Sequence, residues 1–261
     1  MSSDRIFRPL LWLLIAAGAF FGLATLIAPA TFASLTGFAG TDLFTYRLAG
    51  AATFAYAAGL AAGSRASWAE LRIPIASTLV FNAASIFACV LAIIAGGVQP
   101  MVFVILLASI VFTYCTAQLL RQPPMLAAGK ARAELERPIA QWIFYLFAIG
   151  VAAAAVFGLG PLLLGGQFGV IVGAAGNDSF VYRQAGAATL GAAIGGYLVL
   201  RSRRWSAARI PALMAVTFNG LSVIAALIEI ANDAQPVAYL ILAAAAFTTV
   251  GMALALYRRG R

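Results

Sequence analysis

Long continuous apolar runs separated by short polar segments set the pattern of this chain. They cover residues 7–27, 46–62, 73–94, 101–120, 140–159, 180–200, 210–230 and 237–257. Each is close to the roughly 20 residues a helix needs to cross the hydrocarbon of a bilayer. None alternates apolar and polar positions as a barrel strand would, so the pattern predicts eight transmembrane helices. Between them lie a connection running from Pro29 through Gly37 and Gly40, a polar hairpin at 64–72, and a tight uncharged turn at 96–100. The charged segment 122–137 divides the chain into a first repeat, 1–121, and a second, 138–261. Pro74 and Pro211 read as first-turn residues of their helices, where a missing N–H does no harm.

The two parts are related. The stretch 42–53, DLFTYRLAGAAT, returns at 178–189 as DSFVYRQAGAAT, differing only at Leu43/Ser179, Thr45/Val181 and Leu48/Gln184. Other landmarks return in the same order: Trp68 with Trp205, Arg72-Ile73-Pro74 with Arg209-Ile210-Pro211, Phe81-Asn82 with Phe218-Asn219, Ser85 with Ser222, and Gln99-Pro100 with Gln235-Pro236. The sequence Ala28-Pro29-Ala30 resembles a signal-peptide cleavage site. The preceding run nevertheless has a counterpart deep in the chain, with Arg8-Pro9 and Trp12 returning as Arg137-Pro138 and Trp142, which favours a retained crossing. Four crossings per repeat is an even number, so both repeats enter the membrane from one side. The expected relation is a pseudo-twofold axis along the membrane normal, a parallel 4+4 duplication.

Composition supports the membrane class. Of the 261 residues 63% are hydrophobic and only 10% charged, and the mean hydropathy is +0.98, whereas soluble domains are roughly one quarter charged. The net charge of +9 is loop bias rather than a nucleic-acid surface. With the N-terminus placed in the cytoplasm, every basic residue except Arg47 and Arg183 falls inside, so both termini are expected to be cytoplasmic in a multi-pass protein of the bacterial inner membrane. The chain has no histidine and two cysteines, Cys89 and Cys115, both within apolar runs. This argues against metal, haem, disulfide or CxxC chemistry, and no cofactor is expected.

Candidate chemistry therefore centres on the duplicated motif. Arg47 and Arg183 oppose the charge bias at the first turn of a helix, which costs a few kcal/mol unless each is paired or reaches the interface. Asp42 and Asp178, five residues earlier, suit helix N-caps, and each has the alternative of pairing with the arginine of the other repeat. Tyr46 and Tyr182 suit the interfacial aromatic belt, as do Trp68 and Trp205 in the hairpins. One reading of the arginines is a contact with a loop carbonyl or lipid phosphate. The other is an outer-face anion or headgroup site flanking the axis.

Gly59/Gly63 and Gly191/Gly195 have the spacing of close helix packing, with a small-residue pore as the alternative. Asn82 and Asn219 lie near mid-membrane with Ser85 and Ser222 on the same helical face, as interhelical glue or as the lining of a polar cavity. Glu229, opposite Ala92 in the other repeat, is expected to be solvated near a membrane end beside Asp233, or paired with one of the arginines. No catalytic triad, phosphate loop, paired mid-membrane carboxylates or metal cluster is present in the sequence, so enzyme activity is disfavoured.

Each half has a first helix ending near a proline, an aromatic-containing loop, a YRxxG-like opening of the second helix (Tyr46-Arg47, Tyr182-Arg183) and a short basic hairpin. In these features it resembles the DoxX-like group of four-helix bacterial membrane proteins. The resemblance implies a small inner-membrane helical bundle, accessory to redox or envelope processes, with no catalytic residues to carry over.

The expected function is a membrane binding or transport module. A small anion, polar solute or lipid headgroup would engage Asp42, Tyr46, Arg47, Asp178, Tyr182 and Arg183, with Asn82 and Asn219 deeper on the path. The alternative is a non-catalytic accessory or structural subunit. The expected partners are the bilayer, such a ligand, and a membrane-protein partner or a second copy of the chain. Nucleic acid is not among them.

Overall fold

The computed structural model describes residues 3–96, 99–121, 137–174, 176, 178–232 and 235–259. Among the described residues the chain forms helices α1 (Ser3–Ile27), α2 (Pro29–Thr36), α3 (Leu43–Gly63), α4 (Trp68–Ile94), α5 (Pro100–Arg121), α6 (Gln141–Leu164), α7 (Gly166–Val172), α8 (Ser179–Ser202), α9 (Trp205–Asn232) and α10 (Pro236–Arg259). The eight long helices correspond to the eight apolar runs. The charged segment 122–136, Gly97-Val98 of the tight turn and Asp233 lie outside the described residues.

Three boundaries differ from the sequence reading. The connection after Pro29 is itself helical: proline opens α2 at a position where its missing N–H is harmless, and Gly37, at φ +76°, closes it. The 64–72 hairpin shrinks to residues 64–67, because α4 starts at Trp68 with the Glu70 carboxylate accepting from the Ser67 backbone N–H and hydroxyl, both at 3.1 Å. This Ser-x-x-Glu signal preceding an apolar run was present in the sequence. Pro74 and Pro211 consequently lie past the first turn, inside α4 and α9, where each removes one i to i−4 hydrogen bond.

α1, α4, α5, α6, α9 and α10 are each long and apolar enough to cross a membrane. The outer helices also expose large apolar side chains, among them Phe20, Phe103, Leu107, Val156, Phe247 and Val250, a surface suited to lipid rather than water. α3 and α8 fall short on apolarity because they carry the motif arginine and long stretches of alanine and glycine. They occupy the centre of the bundle, where many of their residues are buried. The chain is therefore an all-α membrane protein with its most polar long helices innermost.

Packing interlaces the two parts of the sequence. α1 lies along α3 and α6 along α8, while α4 packs mainly on α8, and α9 on both α10 and α3. Small residues make these approaches possible. A Cβ on Gly50 would sit 2.7 Å from the Gly22 carbonyl oxygen, and one on Gly186 would sit 2.6 Å from that of Gly158. Gly59 faces Met214 of α9, Gly63 faces Leu71 of α4 and Ile210 of α9, and Gly191 and Gly195 face Ser77 of α4, so both GxxxG stripes sit in close helix packing. Across the same interfaces the Tyr56 hydroxyl donates to the Ala188 carbonyl at 2.7 Å, and the Ser77 hydroxyl to that of Gly191 at 2.5 Å. Arg209 of α9 meets the buried Glu70 of α4 at 2.9 Å.

Gly50→Ala and Gly186→Ala, which press a methyl group into backbone, are expected to cost about 2–3 kcal/mol each. Gly150→Ala has nothing within 4 Å and should be neutral, or stabilising by up to about 1 kcal/mol. Thermal melting of the purified variants checks the contrast.

Candidate functional site: a crossed carboxylate and phenol pair beside two chambers

The beginnings of α3 and α8 are held together by reciprocal hydrogen bonds. Asp42 caps α3, accepting from the Thr45 backbone N–H at 3.1 Å and the Thr45 hydroxyl at 2.6 Å. Its second oxygen also accepts from the hydroxyl of Tyr182, on α8, at 2.6 Å. Asp178 caps α8 more loosely, at 3.4 Å from the Val181 N–H, and accepts from the hydroxyl of Tyr46, on α3, at 2.6 Å.

The capping role read from the sequence is present. The carboxylates, however, take the tyrosine of the other half and not its arginine. Tyr46 and Tyr182 are 1% and 5% exposed, so they are not interfacial-belt residues. Their rings are buried because each hydroxyl has a charged acceptor inside the bundle, and such bonds are shorter and stronger than neutral ones. Phe38 stacks on Phe180 beside them at 5.2 Å, and Gly176 packs against Asp42 so closely that a Cβ could not be added there.

Arg47 and Arg183 stand next to this lock and outside it. Among the described residues neither has a hydrogen-bond or ion-pair partner, and neither is part of the lining of the two chambers described below. Arg183 lies over the corner between α6 and α7. A Cβ on Gly165, whose φ is +57°, would come within 3.1 Å of its Cζ, and its Nε is buried without a partner. The expected site thus divides: Asp42, Asp178, Tyr46 and Tyr182 come together, and the arginines are left over.

Asn82 and Asn219 are also apart from the motif. Each donates its amide to the carbonyl four residues earlier on its own helix, Thr78 and Ala215, both at 2.8 Å. They are not interhelical glue, because that bond lies along the helix. Instead they line two separate cavities. The larger, about 380 Å³, lies among α3, α6, α8, α9 and α10; its walls include Phe147, Phe157, Phe218, Leu240 and Met252, with Asn219 and Ser222 among its few polar groups. The smaller, about 150 Å³, lies among α1, α3, α4 and α5 with α8 along one side, and Asn82 and Ser85 line it.

Two further expectations change. Glu229 is 4% exposed and not solvated, and accepts from the Gln235 side-chain amide at 2.6 Å. Trp205 is a core residue rather than an interface anchor, drawn in where its backbone N–H donates to the Arg137 carbonyl at 2.9 Å; Trp68 is half-buried. Sequence reasoning missed Glu70 and Gln184. Gln184 is one of the three positions at which the motif copies differ, and that difference was the available signal. Cys89 and Cys115 are free and buried, as read.

Comparison of the chain with protein-family models, curated proteins and solved structures finds no match. The class that the fold defines is a multi-pass helical membrane protein.

A double-mutant cycle tests the crossed lock. Tyr46→Phe with Asp178→Asn, and Tyr182→Phe with Asp42→Asn, should each show a coupling of about 1.5–3 kcal/mol in thermal or denaturant unfolding. The cross-combinations within one half should be nearly additive. Asp42→Asn should cost more than Asp178→Asn, since Asp42 holds more donors and is more deeply buried.

Proposed function

We propose that this chain is a membrane binding module for an anionic amphiphile, with the apolar chain in the larger chamber and the charged headgroup at Arg183. The observation that carries this reading is an unpartnered guanidinium beside an apolar chamber. Pro161 and Phe168 line the chamber, and a Cβ on Gly165, between them in sequence, would come within 3.1 Å of the Arg183 Cζ.

The physical argument is one of selectivity. Within a bilayer an apolar cavity gains little by exchanging one hydrocarbon chain for another, so affinity for a particular amphiphile has to come from its polar end. An arginine in ion-pair contact with no carboxylate of its own chain among the described residues is suited to bidentate contact with a phosphate or carboxylate. Arg47 is the corresponding group of the other half.

In this reading the protein crosses the membrane eight times. α3 and α8, of 21 and 24 residues, reach roughly 30–36 Å, enough to span the hydrocarbon although inner packing has made them less apolar. The halves are parallel repeats about an axis along the membrane normal, both termini are cytoplasmic by the charge bias, and the membrane is the bacterial inner membrane. A small inner-membrane bundle is also what the likeness to the DoxX-like group implies.

A second reading, an accessory or structural subunit, is favoured by one specific observation: the duplicated aspartates and tyrosines are consumed in a lock between the halves.

The two separate in a lipid-dependent stability assay of the purified protein in neutral detergent. Phosphatidylglycerol should raise the melting temperature and phosphatidylcholine should not. Arg183→Ala should shift the phosphatidylglycerol dependence to about tenfold higher lipid. Equal responses to the two lipids, or an unchanged response in Arg183→Ala, would transfer support to the accessory reading.

A further inference from the structure

The two chambers have diverged in chemistry. The smaller one is crossed by a hydrogen-bonded chain running from α5 through α4 to α8. The Ser109 hydroxyl donates to that of Ser85 at 2.9 Å, the Ser85 hydroxyl donates to Gln184 Oε1 at 2.8 Å, and Gln184 Nε2 lies 3.6 Å from the Cys89 sulfur. At the offset of the sequence repeat, Gln184 corresponds to Leu48, Ser109 to Ala245 and Cys89 to Ala226, all apolar. Ser222, the counterpart of Ser85, has no such partner and turns back on its own helix, donating to the Phe218 carbonyl at 2.8 Å. Three changes, two in the first half and one in the second, have thus made one of two related chambers the more polar.

We propose that this smaller chamber is a binding site of its own, distinct from the amphiphile site, for a neutral ring-sized molecule carrying a hydroxyl or primary amide group. Size, charge and hydrogen bonding each restrict the ligand. A cavity of about 150 Å³ is of the size that accepts a single benzene-like ring. Its described lining contains no Lys, Arg, Asp or Glu, so an ion entering it would be desolvated without compensation.

Two polar groups are left open. Asn82 is 6% exposed, its Nδ2 is used within α4, and its Oδ1 has no partner among the described residues. Gln184 carries a second amide hydrogen beyond the one facing Cys89. One free acceptor and one free donor match a group that both donates and accepts. Phe21, Phe81 and Phe112 supply aromatic wall for the ring. Entry is from the bilayer between α1 and α5, which touch only slightly.

The test is ligand-observed fluorine NMR on the purified full chain, with 4-fluorophenol and fluorobenzene as probes. Saturable binding is expected, with 4-fluorophenol preferred about tenfold. Gln184→Leu, which installs the residue of the other half, should bring the preference close to one. Ala108→Phe, which fills this chamber, should abolish binding, and Ala244→Phe, which fills the larger one, should leave it intact. Ser109→Ala, again the residue of the other half, is a milder variant and should weaken the preference without impairing folding. Absence of saturable binding, equal binding of the two probes, a preference that persists in Gln184→Leu, or binding that survives Ala108→Phe would each overturn the proposal. None of these outcomes bears on Arg183 or on the response to phosphatidylglycerol.

Discussion

A carboxylate placed inside a helical bundle has to be satisfied where it stands, and this chain meets that demand twice with the same device. Asp42 and Asp178 each take a backbone donor from the helix they begin and a phenolic donor from the helix of the other half. The first bond sets where a helix starts and the second sets how the two central helices lie against one another. The bonds cross, so α3 cannot slide along α8 without breaking one of them. Four long helices pack directly on this pair, α1 and α9 on α3, and α4 and α6 on α8, while α5 rests mainly on α4 and α10 mainly on α9.

Close packing around that centre depends on small residues, since hydrocarbon supplies no hydrophobic drive between helices and van der Waals contact must be gained by approach. Glycine at 22, 50, 158 and 186 brings α1 to α3 and α6 to α8 at backbone distance. The same scarcity of side-chain volume leaves space elsewhere. The two chambers lie where α1 meets α5 and where α6 meets α10 only slightly, so tight inner packing and loose outer seams arise from one distribution of residue sizes.

Duplication supplies two copies of each feature, and the differences between copies are the informative positions. Glu70 has alanine at its counterpart and became the buried partner of Arg209. Gln184 has leucine at its counterpart and became the centre of a polar chain. The arginines of the motif were retained in both copies although the lock makes no use of either. This retention is what directs the functional reading toward an anionic headgroup.

Legible along the chain were the helical membrane class, eight long helices, the capping role of Asp42 and Asp178 and the duplicated polar positions. These follow from local quantities: run length, the identity of the residue before a helix, and self-similarity along the chain. The Ser-x-x-Glu cap of α4 and the helix hidden in the Pro29 connection were local as well, and apolar patterning alone passed over them. The pairing of the aspartates with tyrosines instead of arginines, the burial of Tyr46, Tyr182, Trp205 and Glu229, and the separate chambers of the asparagines emerge from the packed bundle. Each of those outcomes depends on which group from a distant segment arrives within hydrogen-bonding distance, and for Tyr46 and Asp178 that segment is 132 residues away. Spacing along one helix carries no information about such a partner, because the partner is selected by how the helices cross.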